Sequence, residues 1–396
     1  MTQTVELSRK PLRAYRAARR LWERALAEGS GPGWIEAYEA AAAGLLDYLE
    51  IDPAEPLFLN ALGVLLYELT LREAATSLFR AALSLDSALP AAEANLTAAS
   101  VPADSVLERP ALPALAARAG RVAGRARPVE GRRLSLCMVV RDEEELLPAC
   151  LASAVDALDE IVVVDTGSTD ATVEIAERFG ARVIHAPWND SFADARNAGL
   201  AQATGDWILM LDADERLGPR ASATIRSLVG RSWREAFLFP ITNLTGDGST
   251  STLHPALRLW RNRREYRFEG RVHEQIATHM PVDLPERFEL VDVPILHEGY
   301  LSRLVAARGK AARNLALLEL EAGERPGPYV AFNLGSEHLR LGDWQHASEY
   351  LDNAWLAICG QPDWSTIGFA PLLAVRAARA RRELGRLEAA RGLLRF

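Results

Sequence analysis

The first hundred residues carry apolar side chains at helical spacing. Residues 1–100 are dense in Ala, Leu, Glu and Arg and contain no β-branched run typical of a strand. Breaks rich in Gly and Pro at 29–33 and 52–53 divide this stretch, and a further pair of helices is expected to begin near Glu55. The pattern therefore predicts antiparallel helical pairs.

Small and large apolar residues recur at matching offsets near both ends of the chain. The positions are Leu62, Gly63, Ala75, Phe79 and Ala82 in segment 55–97, and Leu334, Gly335, Gly342, Ala347, Leu351 and Ala354 in segment 327–357. A weaker copy has Gly385, Ala390 and Leu394. This spacing resembles the tetratricopeptide repeat, whose small residues let two helices approach closely. Generic packing of Ala- and Leu-rich helices is the alternative.

The middle of the chain changes from the helical period to short apolar runs. Residues 101–132 are rich in Pro, Gly and Arg, which predicts a linker with room for one short helix. The runs LSLCMVV, EIVVVD, RVIHA and WILMLDADE then alternate with polar stretches, with helices expected from Asp142 and over 170–179. Such alternation predicts parallel strands in βαβ units.

These patterns divide the chain into four parts. We expect tetratricopeptide-like repeats over 1–100, a linker over 101–132, an α/β domain over 133–300, and a helical segment with further repeats over 301–396. A chain of 396 residues is long enough for two or three domains, each with its own core.

Composition and charge narrow the partners and the compartment. The chain has 45 basic and 53 acidic residues, so no bulk charge favours nucleic acid or an anionic membrane. Its three cysteines form no CxxC or Cys/His pattern, which argues against a disulfide framework or a structural zinc. The N-terminus lacks the apolar core of a signal peptide, and no apolar run approaches the ~20 residues that span a bilayer. We therefore expect a cytoplasmic protein without an integral membrane segment.

Polar residues follow three of the predicted strands. They are residues 141–145, 165–170 and 212–215. Because ligands of parallel α/β sheets bind beyond the carboxyl ends of the strands, we expect these residues to share one crevice rich in carboxylates.

The turn after the second strand, DTGSTD, has two interpretations. Ser168 or Thr169 can cap the next helix, and Gly167 can adopt a positive φ. Asp165, at the end of the strand, could instead accept hydrogen bonds from a base such as uracil.

Asp212 and Asp214 end a strand of apolar residues. Two acids are costly there unless a cation compensates for their desolvation. Mg²⁺ or Mn²⁺ bridging diphosphate oxygens would do so. A turn with solvated acids is the alternative.

One family resemblance covers the chain from about residue 134. Its segments, in order, are SLCMVVRDEEELLPACLASA, DEIVVVDTGSTDATVEIAERFGA, WNDSFADARNAGLAQATGDWILMLDADE, RVHEQI and HEGY. They resemble the family 2 glycosyltransferases with the GT-A fold, in the subgroup that carries tetratricopeptide repeats and includes the sublancin S-glycosyltransferase. The resemblance implies an α/β GT-A nucleotide-sugar-binding domain flanked by all-α tetratricopeptide-like repeats.

The resemblance also implies a set of binding residues. The nucleotide sugar would contact Val139, Val140, Arg141, Glu143, Asp165, Gly167, Asp194, Arg196, Asn197, Asp212 and Lys310. A divalent cation would be held by Asp212, Asp214 and His297. Tyr300, Arg303, Lys310 and Arg313 could close over the diphosphate, or form a solvated helix face; Asp194 could instead pair with a neighbour at a helix start.

Inverting transfer needs a general base on the acceptor side. The resemblance places Glu274 there, with His273 as a helper or a structural contact. Glu274 could instead pair with Arg258 or Arg271. Trp260 and Tyr266 lie where the acceptor is usually recognised and could stack on sugar or peptide.

The leading hypothesis is a metal-dependent inverting glycosyltransferase, a hexosyltransferase that uses a UDP sugar with Mn²⁺ or Mg²⁺. The helical repeats would present a peptide or protein acceptor, or mediate a homodimer. The alternatives are a non-catalytic nucleotide-binding scaffold and a nucleotidyltransferase, although the glycine-rich basic loop of the latter is missing after the first strand.

Overall fold

The structure is a computed structural model that describes residues 2–29, 31, 33–100, 112–301, 310–364 and 367–394. Within these residues, helices occupy both ends of the chain and a mixed sheet occupies the middle. No helix among them is both long enough and apolar enough to cross a lipid bilayer. The predicted order of helical and α/β regions is therefore observed, while the division at residues 100, 132 and 300 stays a prediction.

The N-terminal region is built from helices that pack in pairs. They are α1 (Thr2–Glu28), α2 (Trp34–Leu49), α3 (Pro56–Glu68), α4 (Arg72–Leu85), α5 (Pro90–Ser100) and α6 (Pro113–Arg125). Gly63 explains the close approach of α3 and α4, because a Cβ there would overlap with the ring of Phe79. Helix α6 lies in the segment predicted as a linker, and it packs against α2 and α4 with Ala119 and Val122 buried.

One sheet contains the strands of the described residues. They are β1 (Leu134–Val140), β2 (Glu160–Asp165), β3 (Arg182–His185), β4 (Trp207–Met210), β5 (Glu215–Leu217), β6 (Ala236–Gly246), β7 (Thr250–Arg261), β8 (Phe288–Leu290) and β9 (Ile295–Leu301). Their order is β3-β2-β1-β4-β7-β6-β9-β5, with β8 paired to β6. The first four strands are parallel, as predicted, whereas β7 runs antiparallel to both β4 and β6. The apolar runs of β1 and β4 are buried along almost their whole length, as expected for strands covered on both faces.

Four helices accompany this sheet within the described residues. They are α7 (Leu147–Ala154), α8 (Thr172–Arg178), α9 (Phe192–Gln202) and α10 (Ala221–Val229). The helix expected from Asp142 begins only at Leu147, because the backbone before it binds the turn after β2 instead. The amide of Asp142 donates to Ser168 Oγ at 3.0 Å, and that of Glu143 donates to Thr172 Oγ1 at 2.7 Å.

The C-terminal region repeats the helical pairing. Its described helices are α11 (Lys310–Glu324), α12 (Pro328–Leu341), α13 (Trp344–Cys359), α14 (Ala370–Glu383) and α15 (Leu387–Leu393). A Cβ on Gly335 of α12 would lie 2.5 Å from Cγ of Leu351 in α13, so glycine is what lets this pair pack closely. Gly342 ends α12 at a φ of 77°, a conformation that favours glycine.

A buried junction joins the N-terminal helices to the sheet. Trp233 and Leu284, from the α/β region, are part of the N-terminal hydrophobic core. Arg287 donates to Glu55 at 3.0 Å in the same place and lies 3.8 Å from Glu235. The helices therefore pack against the segments that precede β6 and β8, through both apolar and charged side chains.

Candidate active site

A cleft of about 720 Å³ opens at the carboxyl ends of β1 and β4. The side chains that line it include the predicted residues Val139, Val140, Arg141, Glu143, Arg196, Asp212, Asp214, His297 and Arg313. They come from β1, the loop after it, α9, the turn after β4, β9 and α11. The fold thus brings together residues that are up to 174 positions apart in the chain, from Val139 to Arg313.

Asp212 is held between two arginines. Arg196 Nη2 donates to Asp212 Oδ1 at 2.9 Å, and Arg258 Nη2 lies 3.7 Å from Asp212 Oδ2. Burial alone would raise the pKa of Asp212, but the charges of Arg196 and Arg258 outweigh it and hold that pKa well below its usual range. Asp212 is therefore an ionised group whose oxygens already have cationic partners.

Asp214 and His297 form a second acid and base pair in the cleft. His297 Nε2 lies 3.4 Å from Asp214 Oδ1, while Asn243 Oδ1 accepts from His297 Nδ1 at 2.7 Å. Burial lowers the pKa of His297, but the hydrogen bond and charge of Asp214 outweigh this and raise it. A Cβ on Gly299 would collide with both Asp214 and His297, so the pair depends on a glycine at this point of β9.

The Asp214 and His297 pair fits a divalent cation. Carboxylate oxygen and imidazole nitrogen are both ligands of Mn²⁺. Because Asn243 occupies His297 Nδ1, the Nε2 atom is the one directed at Asp214, an arrangement common for metal-binding histidines. The oxygens of Asp212 also contact Arg196 and Arg258.

An ion-pair network runs from the cleft to the predicted base. Glu274 accepts from Arg196 Nε at 2.5 Å, so its partner is neither Arg258 nor Arg271. Arg258 instead donates to the buried carboxylate of Glu215 at 2.6 Å. Arg196 Nη1 is buried without a hydrogen-bond partner, which leaves one guanidinium donor available to a ligand.

The predicted nucleotide contacts at the second strand lie beside the cleft. Asp165 is buried, and its carboxylate accepts from the amides of Gly167 at 3.3 Å and Ser168 at 3.0 Å. Gly167 has a φ of 108°, as predicted for this turn. Ser168 and Thr169 do not cap α8; the amide of Thr172, its first residue, donates to Asp170 Oδ1 at 3.0 Å. They bind the loop after β1 instead. Ser168 Oγ accepts from the amide of Asp142, and Asp142 Oδ1 accepts from the amide of Thr169.

Two polar residues of α9 have structural partners. Asp194 Oδ2 accepts from Asn189 Nδ2 at 2.8 Å, and its own amide donates to Ser191 Oγ, which caps the helix. Asn197 exchanges hydrogen bonds with the backbone of Phe268 at 2.9 and 2.8 Å. Of the α9 candidates, the structure brings Arg196 to the cleft.

The segment expected to close over the diphosphate is described only in part. Arg303 and the side chains of Tyr300 and Lys310 lie outside the described residues. Arg313 lines the cleft, with its guanidinium carbon 5.1 Å from the centre of the Phe192 ring.

The prediction that Trp260 and Tyr266 stack on an acceptor is wrong. Both side chains are buried in the core, at 1% and 2% exposure. The Tyr266 hydroxyl donates to Glu235 at 2.7 Å, and the ring of Trp260 packs edge-on against Phe268. Their aromatic character serves packing beneath the sheet, which an amino-acid pattern cannot distinguish from ligand stacking.

Sequence reasoning missed Asn243 and Gly299. Asn243 lies in β6, next to β9 in the sheet, and no motif connects it with His297. Gly299 follows His297 by two residues within HEGY, and this closeness in the sequence could have indicated its role beside His297.

Comparison with known proteins supports the fold. Residues 135–277 match the family model "Glycosyl transferase family 2". A TPR repeat-containing protein of Synechococcus elongatus is 38% identical over 55% of this chain and 55% of its own length. The glycosyltransferase SunS of Bacillus subtilis is 28% identical over 54% of this chain and 51% of its own length. The chain thus spans about half the length of these curated relatives.

A solved structure of S. aureus TarS in complex with UDP-GlcNAc is also similar. It aligns over 66% of this chain and 90% of its own, with 14% identity and a TM-score of 0.42. Together with the family match, the mixed sheet and the flanking helical pairs confirm the expected fold class, a GT-A-like α/β domain with helical regions on either side.

Proposed function

We propose that the chain, whose residues 135–277 match the glycosyl transferase family 2 model, transfers a sugar from a nucleotide diphosphate to an acceptor. A UDP sugar is the proposed donor, with a hexose as the group transferred. The proposed acceptor is a side chain of a peptide or protein, and the proposed outcome is inversion at the anomeric carbon.

The convergence of Asp212, Asp214, His297 and Arg313 on one cleft carries this proposal. A nucleotide sugar bears two phosphates, and the chain as a whole is acidic, so the phosphates need local positive charge. Arg196 and Arg313 line the cleft and can supply it. Asp214 and His297 can add a divalent cation.

The proposed reaction is a single displacement. A lone pair of the acceptor oxygen or sulfur attacks the anomeric carbon as the bond from that carbon to the diphosphate oxygen breaks. The bonding electrons leave with the diphosphate, and Arg313 offsets the developing charge. A bound Mn²⁺ or Mg²⁺ would supply Lewis-acid stabilisation of the same charge.

The acceptor proton needs a base, and Glu274 is the proposed one. Its carboxylate contacts Arg196, which lines the cleft, and its side chain remains 12% exposed. Arg196 fixes the direction of this carboxylate. An acceptor that enters between Glu274 and the donor would place its proton within reach of an oriented group.

The helical pairs are proposed to present the acceptor. Resemblance to the subgroup with tetratricopeptide repeats supports a peptide or protein, and such repeats form extended surfaces for chains. A homodimer formed by the same pairs is the other proposed use, and light scattering of the purified chain tests it.

Donor turnover in the presence of metal tests the function. UDP release from a panel of UDP sugars is measured with Mn²⁺, Mg²⁺ or a chelator, with and without peptide acceptors. Asp214→Asn is expected to lower UDP release at least 100-fold. Asp206→Asn is the matched control, because Asp206 pairs with Arg132 on the surface at the opposite end of β4.

Three results would point elsewhere. UDP binding by calorimetry without turnover across the acceptor screen would favour the nucleotide-binding scaffold. Pyrophosphate release from a nucleoside triphosphate would favour a nucleotidyltransferase. If Asp214→Asn released UDP as fast as the wild type, the assignment of the cleft as the active site would be wrong.

A further inference from the structure

The loop that carries Glu274 lies between the sheet and the C-terminal helices. Glu269 and Gln275 close its ends with two backbone hydrogen bonds of 2.9 Å. The amide of Phe192, at the start of α9, donates to the carbonyl of Arg271 at 2.8 Å. From the other side, Glu321 of α11 accepts from the amide of Arg271 at 2.8 Å.

His273, next to the proposed base, has an unfavourable backbone. Its φ is 56°, in the left-handed region. A residue with a Cβ pays roughly 1 kcal/mol or more for this conformation, so surrounding contacts must maintain it. This reversal sends the side chains of two consecutive residues apart: Glu274 to Arg196 and His273 to α12.

Helix α12 supplies the contacts that hold His273. The carboxylate of Glu337 accepts from His273 Nε2 at 3.4 Å. The hydroxyl of Tyr329 donates to the carbonyl of His273 at 3.3 Å and accepts from Gln275 at 2.7 Å. Both the side chain and the backbone of His273 are therefore held by side chains of α12.

Glu337 of α12 is a buried acid, because its side chain is only 2% exposed. Besides His273, it contacts Asn314 of α11 at 3.4 Å and Arg340 of α12 at 3.2 Å. A buried carboxylate is costly unless it is paired and hydrogen-bonded. Its partners place it where it can hold His273 and link α11, α12 and the loop.

We propose that Glu337 is a positioning residue of the active site. Through His273 it holds the reversed backbone that directs Glu274 at Arg196, so α12 is part of the catalytic apparatus. The inference rests on the proposed function, because it assumes that Glu274 and Arg196 act in transfer. It assigns a role in the site to a residue 64 positions from His273.

The first test separates binding from turnover. Glu337→Gln is expected to lower kcat for UDP release about 10- to 100-fold, the range seen when residues that orient catalytic ligands are lost. The calorimetric Kd of UDP should stay within twofold, because Glu337 does not touch the cleft. Glu349→Gln is the matched control, since Glu349 is an exposed glutamate of α13 that accepts from Gln345. We expect wild-type kcat from it.

The second test asks whether Glu337 acts through His273. Glycine adopts a φ of 56° without penalty, so His273→Gly keeps the backbone conformation accessible while removing the contact with Glu337. The kcat of His273→Gly/Glu337→Gln should lie within twofold of that of His273→Gly alone. A further tenfold loss in the double variant would overturn the proposal.

Hydrogen exchange tests the positioning claim without turnover. The amides of Glu269 and Gln275 should exchange at least tenfold faster in Glu337→Gln than in the wild type, and at the wild-type rate in Glu349→Gln. Unchanged exchange in folded Glu337→Gln would contradict the proposal. If the wild type turns over no donor, the proposed function fails while this measurement still decides the role of Glu337. Glu337→Asp, which keeps the charge, serves if Glu337→Gln does not fold.

Discussion

The described residues contain two separate networks of arginines and carboxylates. The junction network, between the N-terminal helices and the sheet, consists of Glu55, Glu235, Arg263, Tyr266 and Arg287. The cleft network consists of Glu274, Arg196, Asp212, Arg258 and Glu215. Their chemistry is the same, and both contain arginines that bind two acids.

The networks differ in their access to water. In the junction network the carboxylates of Glu55 and Glu235 are 4% and 0% exposed. In the cleft network Glu215 is just as buried, at 1%, but Asp212 remains 35% exposed and faces a cavity. The junction network is shielded from water and ligands, so we expect it to stabilise the fold. In the cleft network, an exposed acid such as Asp212 can exchange an arginine partner for a ligand.

Breaking the junction network should have the largest effect. Glu235→Gln leaves Arg263 and Arg287 without their shared buried carboxylate, and we expect it to lower the free energy of unfolding by about 3–5 kcal/mol. Guanidinium denaturation at pH 7 measures this. Glu130→Gln is the control, since Glu130 is exposed. An equal loss in both variants would contradict the comparison.

The contribution of Glu235 to the free energy of unfolding should depend on pH. Burial raises the pKa of Glu235, but hydrogen bonds and charge from Arg263 outweigh it, so the pKa lies below its ordinary value. An acid whose pKa falls on folding contributes stability above its unfolded pKa and loses it as the pH falls through the folded pKa. The stability gap between wild type and Glu235→Gln should therefore shrink as the pH is lowered below about 4.5.

Opening the cleft network should affect turnover more than folding. Arg196→Met removes a group that contacts both Asp212 and Glu274, and we expect kcat for UDP release to fall about 100-fold, or about 2.7 kcal/mol. The loss of unfolding free energy should be smaller than for Glu235→Gln, because water can reach Asp212. Arg178→Gln, at an exposed site on α8, should retain wild-type kcat. If Arg196→Met lost stability but kept the wild-type kcat, the cleft network would not belong to the active site.

A smaller change tests the metal side of the cleft. The Cβ of Gly299→Ala would displace Asp214 or His297, so we expect about tenfold weaker Mn²⁺ binding in the presence of UDP, about 1.4 kcal/mol. Calorimetry measures the affinity. Gly323→Ala is the matched control, because a Cβ there meets no atom within 4 Å. Identical affinities would show that the pair does not bind the cation.

The smallest effect is expected at the surface. Arg118 of α6 pairs with Asp47 and Glu50, whose side chains are 72% and 40% exposed. Arg118→Ala should cost at most about 1 kcal/mol by thermal denaturation and leave UDP release unchanged. A loss as large as that of Glu235→Gln would show that exposure does not distinguish the networks.

Local motifs predicted many residues of the cleft but not the side chains that those residues contact. Val139, Asp212 and Asp214 follow or end apolar runs, and parallel pairing brings such strand ends to one edge. The partner of Glu274 was not predicted: Arg258 and Arg271 were the expected alternatives, whereas Arg196 lies 78 positions away in the chain. The prediction that Trp260 and Tyr266 contact an acceptor was wrong for a related reason. Whether these side chains are buried depends on which elements cover them, and the local pattern does not contain that information.

By itself, the sequence determined the element types, the parallel core of the sheet, the close helix pairs at Gly63 and Gly335, and the acids at the strand ends. These depend on local periodicity, on residue volume and on the direction of adjacent strands. Only the tertiary structure decided that Arg196 links Asp212 to Glu274, that Gly299 makes room for Asp214 and His297, and that Glu337 reaches His273. Such contacts join residues distant in the chain, and their strength depends on burial, which arises only when the helices and the sheet pack together.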